Sequence, residues 1–197
     1  ADVSVPVFTG TLAASDEAHS ILRDPTPGVG SGEVNYLNGS RASMAYTLDL
    51  LAGPFYEYDV DTYSSTQFGT STLDLFGGDF LPDNDEIFYA IDYTTNMLYS
   101  VNKLDGTTTM IGPSSPPFGG AAFTGMACNK NTGVMYAVYT NISQSQLCTV
   151  DVTTGTITPI GSPQSDAPGL IEIACDGTGT IYGWCIVNDA SYTIDPA

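Results

Sequence analysis

The hydrophobic and polar positions of this chain form short alternating runs, separated by turns rich in Gly, Asn, Asp and Thr. The clearest example is QLCTVDVTTGTITPIGS, residues 146–162, which predicts a strand, a tight polar turn and a second strand that ends at a glycine. Similar hairpins occur at residues 97–113 and 54–70, and ASYTIDPA at residues 190–197 begins another. The chain therefore repeats one hairpin.

The hairpins belong to a longer repeat that three sets of anchor residues mark. A tyrosine in the second strand recurs with spacings of 43, 47 and 46 residues, as Tyr46, Tyr89, Tyr136 and Tyr182. The polar residue that closes the third strand recurs as Asp59, Asn102, Asp151 and Asp195. The glycine that ends the fourth strand recurs as Gly69, Gly112 and Gly161. A bend before the first strand is predicted at LFGG, residues 75–78, and at PFGG, residues 117–120.

A repeat of about 43–49 residues with four short strands is typical of a β-propeller blade. Each blade is a small twisted sheet that buries its apolar faces against neighbouring blades. We therefore predict an all-β fold, a β-propeller of four-stranded antiparallel blades with about four blades in this chain. FTGMACNKNTGVMYAVYT followed by QLCTVDVTTGTITPIG resembles the repeat of secreted bacterial β-propeller proteins. This resemblance implies the fold and carries no set of catalytic or binding residues.

The whole chain, residues 1–197, is predicted to be a single β-propeller domain. A linker and first strand at residues 13–39 precede blade repeats at residues 40–72, 73–116, 117–165 and 166–197. The fourth repeat stops after its third strand. Residues 3–12, VSVPVFTGTL, have the alternation and the glycine of a fourth strand, and we expect them to complete the last blade or a blade of a neighbouring subunit. The alternative is that the chain is the front part of a longer propeller of about six to eight blades.

The charge balance is strongly acidic, because 22 Asp and Glu residues against four Lys and Arg give a net charge of −18. Such a surface repels phosphate backbones and anionic lipid headgroups, so we expect no nucleic-acid partner. The chain has no apolar run of the roughly 18 residues that a transmembrane helix needs, and no membrane insertion is expected. The opening ADVSVPVF and the abundance of Ser and Thr favour an extracellular or cell-surface location.

Candidate chemistry in the sequence is limited to carboxylates, since His19 is the single histidine and nucleophilic triads need one beside the nucleophile. Asp79, Asp83, Asp85 and Glu86 cluster in GGDFLPDNDEIFYA, a pattern compatible with a carboxylate-based glycosidase or lyase. The PDNDE turn also supplies hard oxygen ligands, and we assign Asp83, Asp85 and Glu86 as candidate calcium ligands. The alternative is a solvated turn that binds no metal.

The four cysteines, Cys128, Cys148, Cys175 and Cys185, allow three disulfide pairings. A bond between Cys128 and Cys148 is excluded, because the first and third strands of a sheet lie roughly 9–10 Å apart. Buried free thiols are favoured over disulfides. The one cofactor that the sequence suggests is calcium, at the PDNDE turn.

Three functions remain after these exclusions. The first is a secreted or cell-surface non-enzymatic β-propeller that acts as a binding or scaffold module for a protein or glycan ligand. The second is a structural subunit of an extracellular filament or oligomer, in which copies of the chain are joined by strand exchange. The third is a carboxylate-based glycosidase or lyase, which only the acidic turn supports. The sequence leaves enzymatic activity open and favours its absence.

Overall fold

The computed structural model describes residues 44–48 and 53–196, which form fourteen β-strands and, within these ranges, no helix. The chain divides into two compact units, residues 1–40 and 41–197, and all the described residues belong to the second. The described residues contain no helix with the length and hydrophobicity of a transmembrane span.

The strands form four antiparallel sheets, each of which follows chain order as a β-meander. Blade 1 contains β1 (Met44–Leu48), β2 (Pro54–Asp59) and β3 (Ser64–Thr70). Blade 2 contains β4 (Leu75–Leu81), β5 (Asn84–Asp92), β6 (Met97–Asn102) and β7 (Thr108–Pro113). Blade 3 contains β8 (Ala122–Cys128), β9 (Met135–Thr140), β10 (Ser145–Val150) and β11 (Ile157–Pro159). Blade 4 contains β12 (Leu170–Cys175), β13 (Ile181–Cys185) and β14 (Ala190–Ile194).

The repeated tyrosines show which strands correspond to one another. Tyr89 lies opposite Ser100, Tyr136 opposite Thr149, Tyr182 opposite Thr193 and Tyr46 opposite Glu57. Strand β1 is therefore the counterpart of β5, β9 and β13, the second strands of their blades. Blade 1 accordingly has no first strand, and blade 4 no fourth strand, among the described residues.

The predicted bend at residues 75–78 is wrong, because these residues begin β4, whereas residues 117–120 precede β8. The first strands share a different feature, a β-bulge near their start. It lies between Phe76 and Gly78, between Phe123 and Gly125, and between Leu170 and Glu172. A bulge leaves one residue unpaired and bends its strand, and in β4 this residue is Gly77, with a φ of +50°.

The hydrophobic core lies between neighbouring blades. Phe55, Leu75, Ala90 and Val101 fill the space between blades 1 and 2. A larger cluster joins blade 2 to blade 3 and is built around Leu98, Phe123 and Tyr139. Another joins blade 3 to blade 4 and is built around Val138, Leu147 and Ile181. Burial of one such aliphatic or Phe side chain contributes about 1.5–3 kcal/mol. The blades thus stabilise one another.

The turn between the third and fourth strands has the same form in successive blades. In blades 2 and 3 it contains a glycine in the left-handed region, Gly106 with a φ of +71° and Gly155 with a φ of +81°. The N–H of each glycine donates to the residue that closes the third strand, Asn102 or Asp151. Blade 1 has Tyr63 at this position, with a φ of +58° and a side chain that is 80% exposed.

Candidate binding sites

Asp59 and Asp151, two of the acidic residues that recur with the repeat, form hydrogen bonds that stabilise turns. Asp59 Oδ1 accepts the N–H groups of Asp61, at 2.9 Å, and Thr62, at 3.1 Å. Asp151 Oδ1 accepts both the N–H and the hydroxyl of Thr153, at 2.8 and 2.7 Å. Hydrogen bonds from Thr62 and from Thr153 hold the pKa of these two carboxyl groups below its usual value. These residues therefore have a structural role as caps of the turns.

Asp92 is a buried carboxylate, only 2% exposed, and it also closes a turn. Its oxygens accept the N–H of Asp74 at 2.8 Å, and the N–H and hydroxyl of Thr95 at 2.6 and 2.7 Å. Burial acts to raise the pKa of Asp92, but the hydrogen bonds from Thr95 and from the backbone of Asp74 and Thr94 outweigh burial and lower it. The charge is thus satisfied within the fold.

The predicted calcium ligands lie where β4 turns into β5. Asp83 is in the turn, and Asp85 and Glu86 are in β5. The Oδ2 atom of Asp85 lies 3.6 Å from the Nζ of Lys103. Within residues 44–48 and 53–196, no three His, Cys, Asp or Glu side chains are grouped as a metal site. Calcium binding at PDNDE remains a prediction.

Asp79 has a separate role from the other carboxylates of that segment. Its Oδ2 accepts the backbone N–H of Cys128 at 2.8 Å, and its Oδ1 lies 2.6 Å from the Nζ of Lys130. Lys130 also donates to the carbonyl oxygen of Phe80. Asp79 therefore ties β4 of blade 2 to blade 3, and this contact gives it a structural explanation.

All four cysteines are free thiols, and three of them, Cys128, Cys148 and Cys185, are buried. Burial raises the pKa of the Cys148 thiol to about 12 and that of Cys128 above its ordinary value. Since the thiolate is the reactive form, these groups are poor nucleophiles at neutral pH. They act as small apolar side chains of the core.

A groove of 610 Å³ runs along the outer edge of β14. Its apolar lining consists of Leu147, Ile160, Ala167, Leu170, Tyr192 and Ile194. The segment that follows β11 forms the opposite wall, and hydrogen bonds hold this wall in place. Tyr192 and Asn188 both donate to the carbonyl oxygen of Asp166, at 2.9 and 2.6 Å. Ser145 and Gln164 form a two-residue bridge at 2.9 and 2.7 Å.

The groove borders β14, which corresponds to the third strands β6 and β10. In blades 2 and 3, β7 pairs with β6, and β11 pairs with β10. No described strand pairs with the outer edge of β14. Apolar side chains and a strand edge therefore face the same space.

The sequence matches no known protein family and no curated protein. Solved structures match the fold. A structural genomics protein of unknown function from Bacteroides thetaiotaomicron aligns with a TM-score of 0.57 at 17% identity, over 79% of this chain and 39% of that chain. Streptogramin B lyase aligns with a TM-score of 0.52 at 16% identity, over 79% of this chain and 49% of that chain. A nidogen/laminin complex aligns with a TM-score of 0.51 at 9% identity, over 76% of this chain and 60% of that chain.

This chain thus spans between 39% and 60% of the length of these structures. At such identities the likeness concerns the fold and carries no function across. The neighbours are β-propellers. The four antiparallel sheets are accordingly blades of a β-propeller.

Proposed function

We propose that this protein is a non-enzymatic binding or scaffold module, secreted or displayed at the cell surface, that binds an extended polypeptide strand along β14. The observation that carries the proposal is the outer edge of β14, with which no described strand pairs, beside an apolar groove. The repeat of this chain resembles that of secreted bacterial β-propeller proteins. This resemblance and the net charge of −18 agree with an extracellular setting.

Two features of the groove favour a strand as its ligand. A strand edge presents backbone N–H and C=O groups, and an added strand satisfies them while its alternate side chains enter a groove. Ile160 on one wall and Tyr192 and Ile194 on the other supply that groove. Its volume of 610 Å³ lies in the range of about 300–1,000 Å³ that ligand sites occupy. A polypeptide uses both features, whereas a glycan uses only the side chains.

A second candidate function is that of a structural subunit, in which the strand comes from the protein itself. The described fourth-strand segments share an apolar residue followed by a glycine, as Phe68-Gly69, Ile111-Gly112 and Ile160-Gly161. Residues 3–12, VSVPVFTGTL, which lie outside the described residues, have a similar alternation and Gly10. As a proposal, this segment fills the groove of its own chain in a monomer, or of another copy in a filament.

The experiment compares the full chain with a variant that lacks residues 1–12. We expect the deletion to lower the melting temperature, or to dissolve an assembly seen by light scattering, and a synthetic VSVPVFTGTL peptide to reverse the effect. A matched pair of variants locates the site. Ile194→Asp should abolish peptide binding, and Met110→Asp, on an exposed position of β7, should leave it unchanged.

Three results would contradict these proposals in different ways. A deletion variant with unchanged stability and assembly would remove residues 1–12 as the ligand. Peptide binding that survives Ile194→Asp would remove the β14 groove as the site. Turnover of an oligosaccharide, lost on substitution of Asp83 and Asp85, would favour the carboxylate-based glycosidase or lyase instead.

A further inference from the structure

A second cavity, of 360 Å³, is separate from the β14 groove. Aromatic side chains of blades 1 and 2 line much of it: Tyr46, Phe55, Phe76, Phe80 and Phe88. Several of these rings contact one another. The centroids of Tyr46 and Phe80 are 5.0 Å apart, and those of Phe80 and Phe88 are 5.5 Å apart. Since the centroids of Phe55 and Phe88 are also 6.2 Å apart, four of these five rings form a connected group.

Within the part of the chain that the structure describes, one charged residue joins this lining, Glu172 from β12 of blade 4. Gly125 in β8 makes room for it, since a Cβ atom on Gly125 would lie 2.6 Å from the Oε1 of Glu172. That oxygen accepts the backbone N–H of Ile173 at 2.9 Å. Two blades therefore position a single negative charge at an aromatic cavity.

The surroundings of Glu172 disfavour an isolated anion. Although the residue as a whole is exposed, burial of its carboxyl group raises the pKa of Glu172, and backbone hydrogen bonds from Ile173 and Met126 offset this only in part. Among the described residues, no Lys or Arg lines the cavity. A cation beside the carboxylate would supply the missing charge.

We propose that this cavity binds a small organic cation of the alkylammonium or quaternary ammonium class. Aromatic ring faces attract such cations through the ring quadrupole, and the carboxylate neutralises them. A bare metal ion fits less well, because calcium needs about six to eight oxygen ligands and most of this lining is apolar.

Two further observations agree with this ligand class. The Nζ of Lys103 already lies 5.6 Å from the centroid of the Tyr46 ring, outside the cavity lining, so this ring accepts a cation within the fold. The net charge of −18 raises the local concentration of any cation near the protein.

The test titrates the full chain with choline and with its neutral isostere 3,3-dimethyl-1-butanol, and follows binding by calorimetry and by ligand NMR. We expect choline to bind at least tenfold more tightly than the alcohol. Glu172→Gln, which keeps the shape and an acceptor for Ile173, should reduce the affinity for choline at least tenfold and leave that for the alcohol unchanged. Asp189→Asn, which removes an exposed carboxylate outside the cavity lining, serves as the matched control.

A second variant covers the case in which Glu172→Gln changes the folding. Phe80→Leu keeps the wall apolar but removes a ring. It should lower the affinity for choline more than the affinity for the alcohol. Equal affinity for the two compounds, retention of choline binding in both variants, or no choline binding at millimolar concentration would each overturn the proposal. None of these outcomes depends on whether a strand binds along β14.

Discussion

Gly69 in β3 of blade 1 lies directly against Gly106 in a turn of blade 2, so closely that a Cβ atom on Gly69 would be 2.5 Å from the Cα of Gly106. The contact recurs one blade further on. A Cβ atom on Gly112 would be 2.0 Å from the carbonyl oxygen of Thr154, next to Gly155. Neighbouring blades therefore meet backbone to backbone at this point, and only glycine permits the approach.

The glycine contact predicts that Gly112→Ala destabilises the protein. The added methyl group has no space against backbone atoms, and overpacking of this kind costs about 1–3 kcal/mol. Chemical denaturation measures the change in the free energy of unfolding. Gly119→Ala is the matched control, because its Cβ would meet nothing within 4 Å, and it should stay within about 0.5 kcal/mol of the parent. Equal effects of the two substitutions would contradict the backbone contact.

The lowered pKa of Asp92 predicts that this residue contributes less to the stability of the folded protein in acid. Its pKa in the folded protein is lowered, so its contribution is present above the unfolded pKa of about 4 and is lost as the pH falls through the folded value. Asp92→Asn turns one of the two acceptor oxygens into an NH2 donor, which then faces the N–H of either Asp74 or Thr95, and should cost about 1–3 kcal/mol at pH 7.

The measurement for Asp92 is the free energy of unfolding between pH 7 and pH 3. The parent should lose stability more steeply than Asp92→Asn on acidification, and the two curves should converge. Parallel curves would show that the Asp92 charge makes no contribution to the pH dependence.

The calcium prediction at PDNDE is tested by the melting temperature with and without a chelator. If Asp83, Asp85 and Glu86 bind calcium, EDTA should lower the melting temperature, since a ligand that binds only the folded state stabilises it. Asp83→Asn with Asp85→Asn should remove this sensitivity, whereas Asp166→Asn with Asp189→Asn should retain it. A melting temperature that EDTA leaves unchanged would favour the solvated turn.

The charge of the chain predicts no measurable affinity for DNA or RNA at physiological salt. Four basic residues against 22 acidic ones leave no surface to neutralise phosphates, and counterion release drives most non-specific binding. A gel-shift assay across salt concentrations, with a basic DNA-binding protein as positive control, checks this. Retardation that weakens as salt rises would contradict it.

The blade architecture could be predicted because the anchor residues recur with the repeat. Tyr89, Tyr136 and Tyr182 mark second strands, and hairpin turns depend on local residue chemistry. The bend at residues 75–78 could not be predicted in the same way. LFGG and PFGG share letters, but the Gly77 bulge depends on pairing with β5, which is a non-local property.

The two candidate sites differ in how far the sequence reveals them. The sequence reveals the position of β14, because ASYTIDPA aligns with the third strand of the repeat, and no described strand pairs with its outer edge. Glu172 was missed, because LIEIAC reads as an ordinary strand of alternating residues. Its position at an aromatic cavity depends on Gly125 in another blade and on rings of blades 1 and 2, and one polar residue in an apolar run is the only local signal.

Blade 1 differs from blades 2 and 3 at the turn between its third and fourth strands, because it has Tyr63 where they have a glycine. A blade placed before blade 1 in the same geometry would bring its own fourth-strand glycine against this turn, where Gly106 and Gly155 have no side chain and blade 1 has a phenol ring. A blade in that position would have to pack on blade 1 without the glycine-to-glycine contact that Gly69 and Gly106 make between blades 1 and 2.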